Sequence, residues 1–176
     1  NPHTSVQHAH APRRYVRLPM AHALAYFLSW RCYATWLPGD ERGWVDRRHN
    51  RHATPFRPAH RGLSTRMDSA LRHEPVTLSD SARVRTAEAI RAHCEHRGWT
   101  ILALNVRTNH VHCVVSARST RPEEVMRQLK AWATRRLRHE GLYNAKQPVW
   151  ARHGSTRYLW TRTQVDLARV YVLDAQ

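Results

Sequence analysis

Two short apolar runs near the middle of the chain constrain its fold more than any other feature. They cover 99–106 and His110–Ser116 and are separated only by "RTN". A connection of three residues between two β-rich runs predicts a hairpin, in which the strands are antiparallel neighbours. The sequence therefore predicts an antiparallel sheet that contains this hairpin.

Helix and strand patterns alternate on both sides of the hairpin. The predicted elements are a strand over 24–36, a helix from Ser79 or Asp80 to Gly98, a helix with Pro122 in its first turn that ends at Gly141, a strand over 148–160 with a turn at Gly154, and a last helix over 161–176. This β-α-β-β-α-β-α order predicts an α+β fold, with a ferredoxin-like antiparallel sheet and helices on one face.

The length of 176 residues fits one domain. Residues 1–20 are predicted to form a flexible basic N-terminal extension, and they lack the pattern of a signal peptide. The predicted domain is therefore 21–176. Within the domain, 46–78 is rich in Arg, His and Pro and has no sustained period. This segment is predicted to be a long loop.

The charge of the chain is strongly one-sided. It has 29 Lys and Arg against 13 Asp and Glu, a formal net charge of +16. Such a domain repels itself unless a polyanion is near, and nucleic acid is the usual polyanion. All Lys and Arg residues except Lys130 and Lys146 are Arg, a usage that is typical of a GC-rich coding sequence.

The cysteines exclude two classes of small stabilised domain. Cys32, Cys94 and Cys113 are odd in number, far apart and outside any CxxC pair, so neither a disulfide framework nor a zinc ribbon is expected. This usage is typical of a reducing cytoplasm. No apolar run approaches the roughly 18 residues of a membrane span, so no membrane partner is expected.

Two histidines stand one residue apart in the second strand of the hairpin. On a strand His110 and His112 point to the same face, with Cα atoms about 7 Å apart. Two imidazoles in this arrangement can converge on one divalent metal ion. The alternative is a pair of polar residues on a solvent-facing side of the sheet.

A family resemblance rests on "NHVHCVV" together with "CEHRGW", "QLKAWATRRLR", "VWARHGSTRYLW" and the closing "ARVYVLDAQ". These stretches and their order resemble the single-tyrosine HUH transposases, including the REP-associated tyrosine transposases. The resemblance implies a metal-dependent DNA transposase or endonuclease that cleaves and rejoins single-stranded or hairpin DNA. It further implies magnesium or manganese as cofactor, a monomer or homodimer, and a bacterial, nucleoid-associated location.

The same resemblance assigns roles to individual residues. Tyr171, on the last helix, would be the catalytic nucleophile that forms a 5′-phosphotyrosine link; the alternative, a core tyrosine with its hydroxyl at the edge, is less favoured because of the histidine pair. His110 and His112 would bind the metal. Relatives place a glutamine four residues after the tyrosine, where this chain has Ala175. Gln176 is therefore the predicted third ligand, and Asp174 is a carboxylate substitute.

Arginines and one tryptophan are candidates for nucleic-acid binding. Arg side chains between aromatic rings suit single strands, which bind by base stacking and backbone attraction. The alternatives are a solvated charged helix face and a tryptophan in the core. The predicted nucleic-acid-binding residues are Arg31, Trp36, Arg47, Arg48, Lys130, Arg135 and Arg136.

Two other functions remain open from the sequence. The displaced glutamine favours a catalytically inactive nucleic-acid-binding module of the same fold. The stretch "HCEH" allows a zinc-stabilised protein, since His93 and His96 are neighbours on a helix beside Cys94. No second pair with ligand spacing accompanies it.

Overall fold

The computed structural model describes residues 22–45, 55–117 and 119–174. The predicted N-terminal extension lies outside these residues. The elements in chain order are β1 (Ala25–Cys32), α1 (Arg61–Ser69), α2 (Asp80–His96), β2 (Thr100–Val106), β3 (His110–Ser116), α3 (Pro122–His139), β4 (Trp150–Leu159) and α4 (Arg162–Leu173).

The four strands form one antiparallel sheet in the order β2-β3-β1-β4. The hairpin β2–β3 supplies one half, and β1 and β4 supply the other. The predicted α+β class with a ferredoxin-like antiparallel sheet is confirmed. Register places Ser29 opposite His112 on one side and opposite Ser155 on the other.

The helices pack on both faces of the sheet. Helices α2 and α3 cover one face through a core that includes Leu28, Trp30, Val111, Ile90 and Leu129. Helix α4 covers part of the opposite face, where Ala168 and Val172 pack against Val114 and Leu159. The prediction of helices on one face is right for α2 and α3 and is corrected for α4. The reason is that Val114 and Ala103 give the second face an apolar patch that needs a cover.

Side-chain caps start three of the described helices, α1, α2 and α4. The Ser79 hydroxyl accepts a hydrogen bond from the backbone N–H of Ala82, which begins α2 at the predicted position. Helix α4 begins with a full capping box between Thr161 and Gln164. The start of the helix that carries Tyr171 is therefore fixed by local sequence.

The segment between β1 and α2 differs from its prediction. Strand β1 ends at Cys32 and not at 36, because the chain turns there and Ala34 adopts a left-handed φ of 59°. The predicted loop over 46–78 contains helix α1, which buries no residue. The prediction of a loop is therefore wrong for those nine residues, and 46–54 lies outside the described residues. Among the described residues, no helix combines the length and apolar character needed to cross a membrane.

Gly154 lies inside β4, opposite Trp30, so the predicted turn there is wrong. A Cβ atom at this position would lie 2.7 Å from the carbonyl oxygen of Ser29 and 2.5 Å from the Met126 sulfur. Glycine is thus required by close packing between β1, β4 and α3, and not by a turn.

Replacing Gly154 by Ala is expected to lower the free energy of unfolding by about 1–3 kcal/mol, because backbone must move to admit the methyl group. Urea unfolding measures the change. Gly62→Ala is the matched control, since the nearest atom to its added Cβ is 3.7 Å away. Equal stability of the two variants would contradict the requirement for close packing.

Candidate active site

The two histidines lie side by side on β3, on the face of the sheet that carries α4. Their ring centroids are 4.7 Å apart at an angle of 65°. The alternate residues Val111 and Cys113 are fully buried toward α2 and α3. The strand therefore separates apolar packing on one face from two imidazoles on the other.

Asn109 orients the first imidazole. Its side-chain oxygen lies 2.6 Å from Nδ1 of His110. Because an amide oxygen only accepts hydrogen bonds, this contact places the proton of a neutral His110 on Nδ1 and the lone pair on Nε2. Histidine ligands of metals are held by such outer contacts.

His112 is held neutral by its surroundings. Burial is the largest cause that lowers its pKa to about 4, and the nearby groups His110, Arg31 and Arg107 lower it further. Its Nδ1 atom is buried and has no hydrogen-bond partner among the described residues. A neutral imidazole is the form that binds a metal ion.

Helix α4 places Tyr171 against this pair within one chain. Ala168 and Val172 anchor the helix on the sheet, and the tyrosine ring projects beside them. Its centroid lies 5.6 Å from that of His112 and 5.8 Å from that of Phe27. The residue is 46% exposed, so a substrate can reach the phenol.

Asn105 ties the end of α4 to the sheet. It lies directly opposite His112 in the β2–β3 register, and its amide nitrogen donates to the carbonyl oxygen of Val172 at 2.9 Å. That carbonyl belongs to the last turn of α4, where intrahelical donors are missing. Neither Asn105 nor Asn109 is among the residues predicted from the sequence. The signal available for Asn105 was one polar residue in the apolar run "ILALNV".

Arg31 brings a positive charge to the same face. It lies opposite His110 on β1, and its guanidinium stands 4.0 Å above the ring of Trp36. The indole nitrogen of Trp36 in turn donates to the carbonyl oxygen of Gly43 at 2.6 Å. Burial is the first cause that lowers the pKa of Arg31, with Arg42 second. The predicted pair Arg31 and Trp36 is thus brought to the edge of the histidine site.

The other predicted nucleic-acid residues are not brought to this site. Lys130 on α3 donates to the backbone oxygens of Ala151 and His153, and burial lowers its pKa to about 8. Arg136 forms an ion pair with Glu140 at 2.5 Å. These contacts lie on the α3 side of the sheet, and Arg135 is there as well. Arg47 and Arg48 lie outside the described residues.

The described residues supply two candidate metal ligands but not a complete set. Two adjacent imidazoles, one held neutral by burial, are suitable ligands for a divalent ion. Within the described ranges, no group of three or more His, Cys, Asp and Glu is arranged to hold a metal. Asp174 therefore does not complete a set with the histidines, and Gln176 lies outside the described residues. In "HCEH", Cys94 is buried in the core whereas His93 bonds to Gln128, so these side chains do not converge either.

Family comparison decides the class of the protein. The model of the family described as "Transposase IS200 like" matches residues 71–166, more than half of the chain. This chain belongs to the IS200-like transposase family. The matched span of the transposase includes both histidines and stops within α4, before Tyr171. The predicted resemblance to tyrosine transposases is confirmed at the level of the family.

Two solved structures resemble the transposase at low identity. The first is a REP-associated tyrosine transposase bound to a REP hairpin, with 12% identity, a TM-score of 0.46, and coverage of 94% of this chain and 70% of that one. The second is described as a candidate transposase from Deinococcus radiodurans R1, with 15% identity, a TM-score of 0.43, and coverage of 90% and 92%. No curated protein matches the sequence significantly.

Removing the Asn105 amide is expected to loosen the last turn of α4. Asn105→Ala should lower the free energy of unfolding by about 1 kcal/mol, because the Val172 carbonyl loses its donor. Hydrogen exchange of the amides near Tyr171 should accelerate by more than the global change explains. Thr163→Ala, on the exposed side of the same helix, is the control. Unchanged exchange at the end of α4 in Asn105→Ala would contradict this role.

The burial of His112 is expected to make the metal-free protein less stable in acid. An unfolded imidazole takes up a proton near pH 6.5, whereas His112 in the folded state resists protonation down to a pKa of about 4. The free energy of unfolding should therefore fall as the pH is lowered from about 6.5 to about 4.

Urea unfolding at pH 7 and pH 5 measures this effect in the native chain and in His112→Gln. The variant should lose less stability between the two pH values. His139→Gln, exposed at the end of α3, should keep the native pH dependence. If His112→Gln and the native chain lose stability equally, burial of His112 is not the cause of the acid sensitivity.

Proposed function

We propose that this transposase-family chain is a metal-dependent DNA transposase that cleaves and rejoins single-stranded or hairpin DNA through a 5′-phosphotyrosine intermediate. One observation carries the proposal: the Tyr171 ring lies 5.6 Å from His112. Tyrosine-mediated strand transfer requires a solvent-accessible phenol beside metal-binding side chains, and here the phenol lies beside two imidazoles, of which His112 is held neutral by burial. The family match supports DNA as the substrate.

Tyr171 acts as the nucleophile in this scheme. Its phenolate oxygen attacks the scissile phosphorus, a bond forms from phosphorus to that oxygen, and the bond from phosphorus to the 3′-oxygen breaks. The phenolic proton passes to solvent, and the departing 3′-oxygen takes up a proton. One phosphodiester link replaces another, so the 3′-hydroxyl can later attack the phosphotyrosine and reseal the strand without ATP.

His110 and His112 would hold the divalent ion, magnesium or manganese, through imidazole nitrogens. When bound, such an ion polarises the scissile phosphate and stabilises charge on its oxygens. Asn109 fixes the tautomer of His110, and burial keeps His112 neutral. The chain thus keeps ligand nitrogens ready at neutral pH.

Arg31 positions the phosphate from the other side of the histidine pair. Its guanidinium is stacked on Trp36, and this stacking limits its motion while leaving its edge donors available. Planar donors of this kind bind phosphate oxygens in pairs. The phenol of Tyr171 is close enough to raise the pKa of Arg31, and this proximity supports a role for both groups at one phosphate.

The contact between Tyr171 and His112 lies within one chain. We therefore expect the tyrosine to act on the metal site of its own protomer. This arrangement needs no second copy to complete the nucleophile and the histidine pair.

A second function follows from the incomplete ligand set. Relatives are expected to carry a glutamine where this chain has Ala175, and the described residues supply no third His, Cys, Asp or Glu ligand. A catalytically inactive DNA-binding module of the same fold is the alternative. It predicts salt-sensitive binding without dependence on metal.

Covalent capture of DNA tests the two functions. The native chain is incubated with manganese and a hairpin oligonucleotide that carries a label on the fragment 3′ of the cleavage site, the one whose 5′ phosphate would join Tyr171. It should form an adduct that survives denaturing electrophoresis. Tyr171→Phe and addition of EDTA should each abolish the adduct, because the first removes the nucleophile and the second the Lewis acid.

Tyr158→Phe is the matched control, since Tyr158 is similarly exposed at 40% and lies on β4 outside the site. It should form the adduct at the native level. An adduct that persists in Tyr171→Phe would overturn the assignment of the nucleophile. Tight binding without any adduct from the native chain would establish the inactive module.

A further inference from the structure

An aromatic and basic cluster lies on the two long helices, across the sheet from Tyr171. It consists of His93, Arg97, Trp99, Trp132 and Arg135, and we call it the helical patch. His93 and Arg97 lie at the end of α2, and Trp132 and Arg135 lie on α3. Helices α2 and α3 cover the face of the sheet opposite to α4, so the helical patch is separate from the histidine site.

Aromatic rings and guanidinium groups contact one another in the helical patch. His93 lies 5.0 Å from Trp132 at an angle of 23° and 5.5 Å from Trp99 at 90°. The guanidinium of Arg135 stands 5.0 Å from the Trp132 ring, and that of Arg97 stands 5.3 Å from the Trp99 ring. The two arginines are thus held by tryptophans on either side of one histidine.

The two arginines of the helical patch differ from others on the same helices. On α2 and α3, several arginines are neutralised by carboxylates in ion pairs. Among the described residues, Arg97 and Arg135 take part in none. The neutralised pairs are Arg83–Asp80, Arg85–Glu88, Arg127–Glu124 and Arg136–Glu140.

The positive field of the helical patch acts on its own histidine. Burial is the first cause that lowers the pKa of the His93 imidazole, and the neighbouring cations Arg97 and Arg135 lower it further. Both arginines oppose a proton on His93 and direct positive charge toward one region of the surface, although Glu124, whose pKa Arg97 lowers, offsets part of that charge. A negatively charged partner relieves this repulsion.

A stacked arginine is well suited to a phosphodiester. The ring of the tryptophan covers one face of the guanidinium by cation–π attraction, whereas the in-plane N–H groups remain available. Binding to phosphate oxygens costs such a side chain less rotamer freedom, because stacking has already ordered it. Two such groups, together with Trp132, whose side chain is 42% exposed, form a surface for a nucleic-acid backbone.

We infer that the helical patch is a second DNA-binding surface, which holds the phosphate backbone of DNA away from the cleaved phosphate. The inference rests on the proposed function only in taking DNA as the substrate. A DNA that occupies both faces must bend around the edge of the sheet or extend well beyond the cleavage site. The helical patch therefore contributes to the affinity for long substrates and not to the chemistry at Tyr171.

Salt-dependent binding tests the inference. The double variant Arg97→Gln/Arg135→Gln should bind a fluorescent hairpin with long flanks about tenfold more weakly than the native chain in fluorescence anisotropy. The slope of log K against log salt should fall by about two, because each removed guanidinium no longer neutralises one phosphate. Arg83→Gln/Arg85→Gln is the matched control, because it removes the same charge from α2 at ion-paired positions.

The control should keep the native slope, and thermal unfolding should show that both variants are folded. Equal slopes for the helical-patch variant and the control would overturn the inference. So would displacement of the DNA by poly-glutamate as effectively as by unlabelled DNA, because the surface would then select acidic chains in general.

Adduct formation separates this inference from the proposed function. On a short hairpin without flanks, the helical-patch variant should form the Tyr171 adduct at the native level, because its residues do not touch the site. If the native chain forms no adduct but the slope still falls in the variant, the helical patch stands and the proposed chemistry fails. Loss of the adduct on the short hairpin in the folded variant would place these arginines in the cleavage step and overturn their separate role.

Discussion

Strand β3 has to satisfy two environments at once, because helices pack on both faces of the sheet and consecutive side chains alternate between them. One set, Val111 and Cys113, is buried against α2 and α3, whereas His110 and His112 face α4. A shift of one residue in the register would exchange these sets and bury two imidazoles in an apolar core. The apolar packing on one face therefore fixes the position of the histidines on the other.

The site is assembled by side chains that bridge elements. Asn105 connects β2 to the last turn of α4 beside Tyr171, and Asn109 orients His110. Both act through hydrogen bonds: Asn105 donates to the Val172 carbonyl oxygen at the helix end, and Asn109 accepts from the His110 ring. Arg31 adds a cation whose position is set by its stack on Trp36. The Tyr171 phenol, the imidazoles and the cation thus share one face through contacts made by separate strands and one helix.

The surface charge of this molecule depends on which arginines form ion pairs, and not only on composition. The net charge of +16 indicates a polyanionic partner but does not show which surface binds it. Ion pairs neutralise arginines such as Arg85 and Arg136, and Lys130 donates a hydrogen bond to the backbone of β4. Arg31 at the histidine face and the two arginines of the helical patch across the sheet are among the described arginines that form no ion pair with a carboxylate. DNA contacts on both faces are consistent with the excess of positive charge.

The sequence by itself determined the elements whose signals are local. The central hairpin follows from two apolar runs around "RTN", and the starts of α2 and α4 follow from caps at Ser79 and Thr161. The shared face of His110 and His112 follows from the period of a strand. Only the tertiary structure decided what depends on distant packing: that α4 crosses to the second face, that Gly154 serves a close approach to Ser29, and that Asn105 reaches Val172. These contacts join residues far apart in the chain, and no local pattern records them.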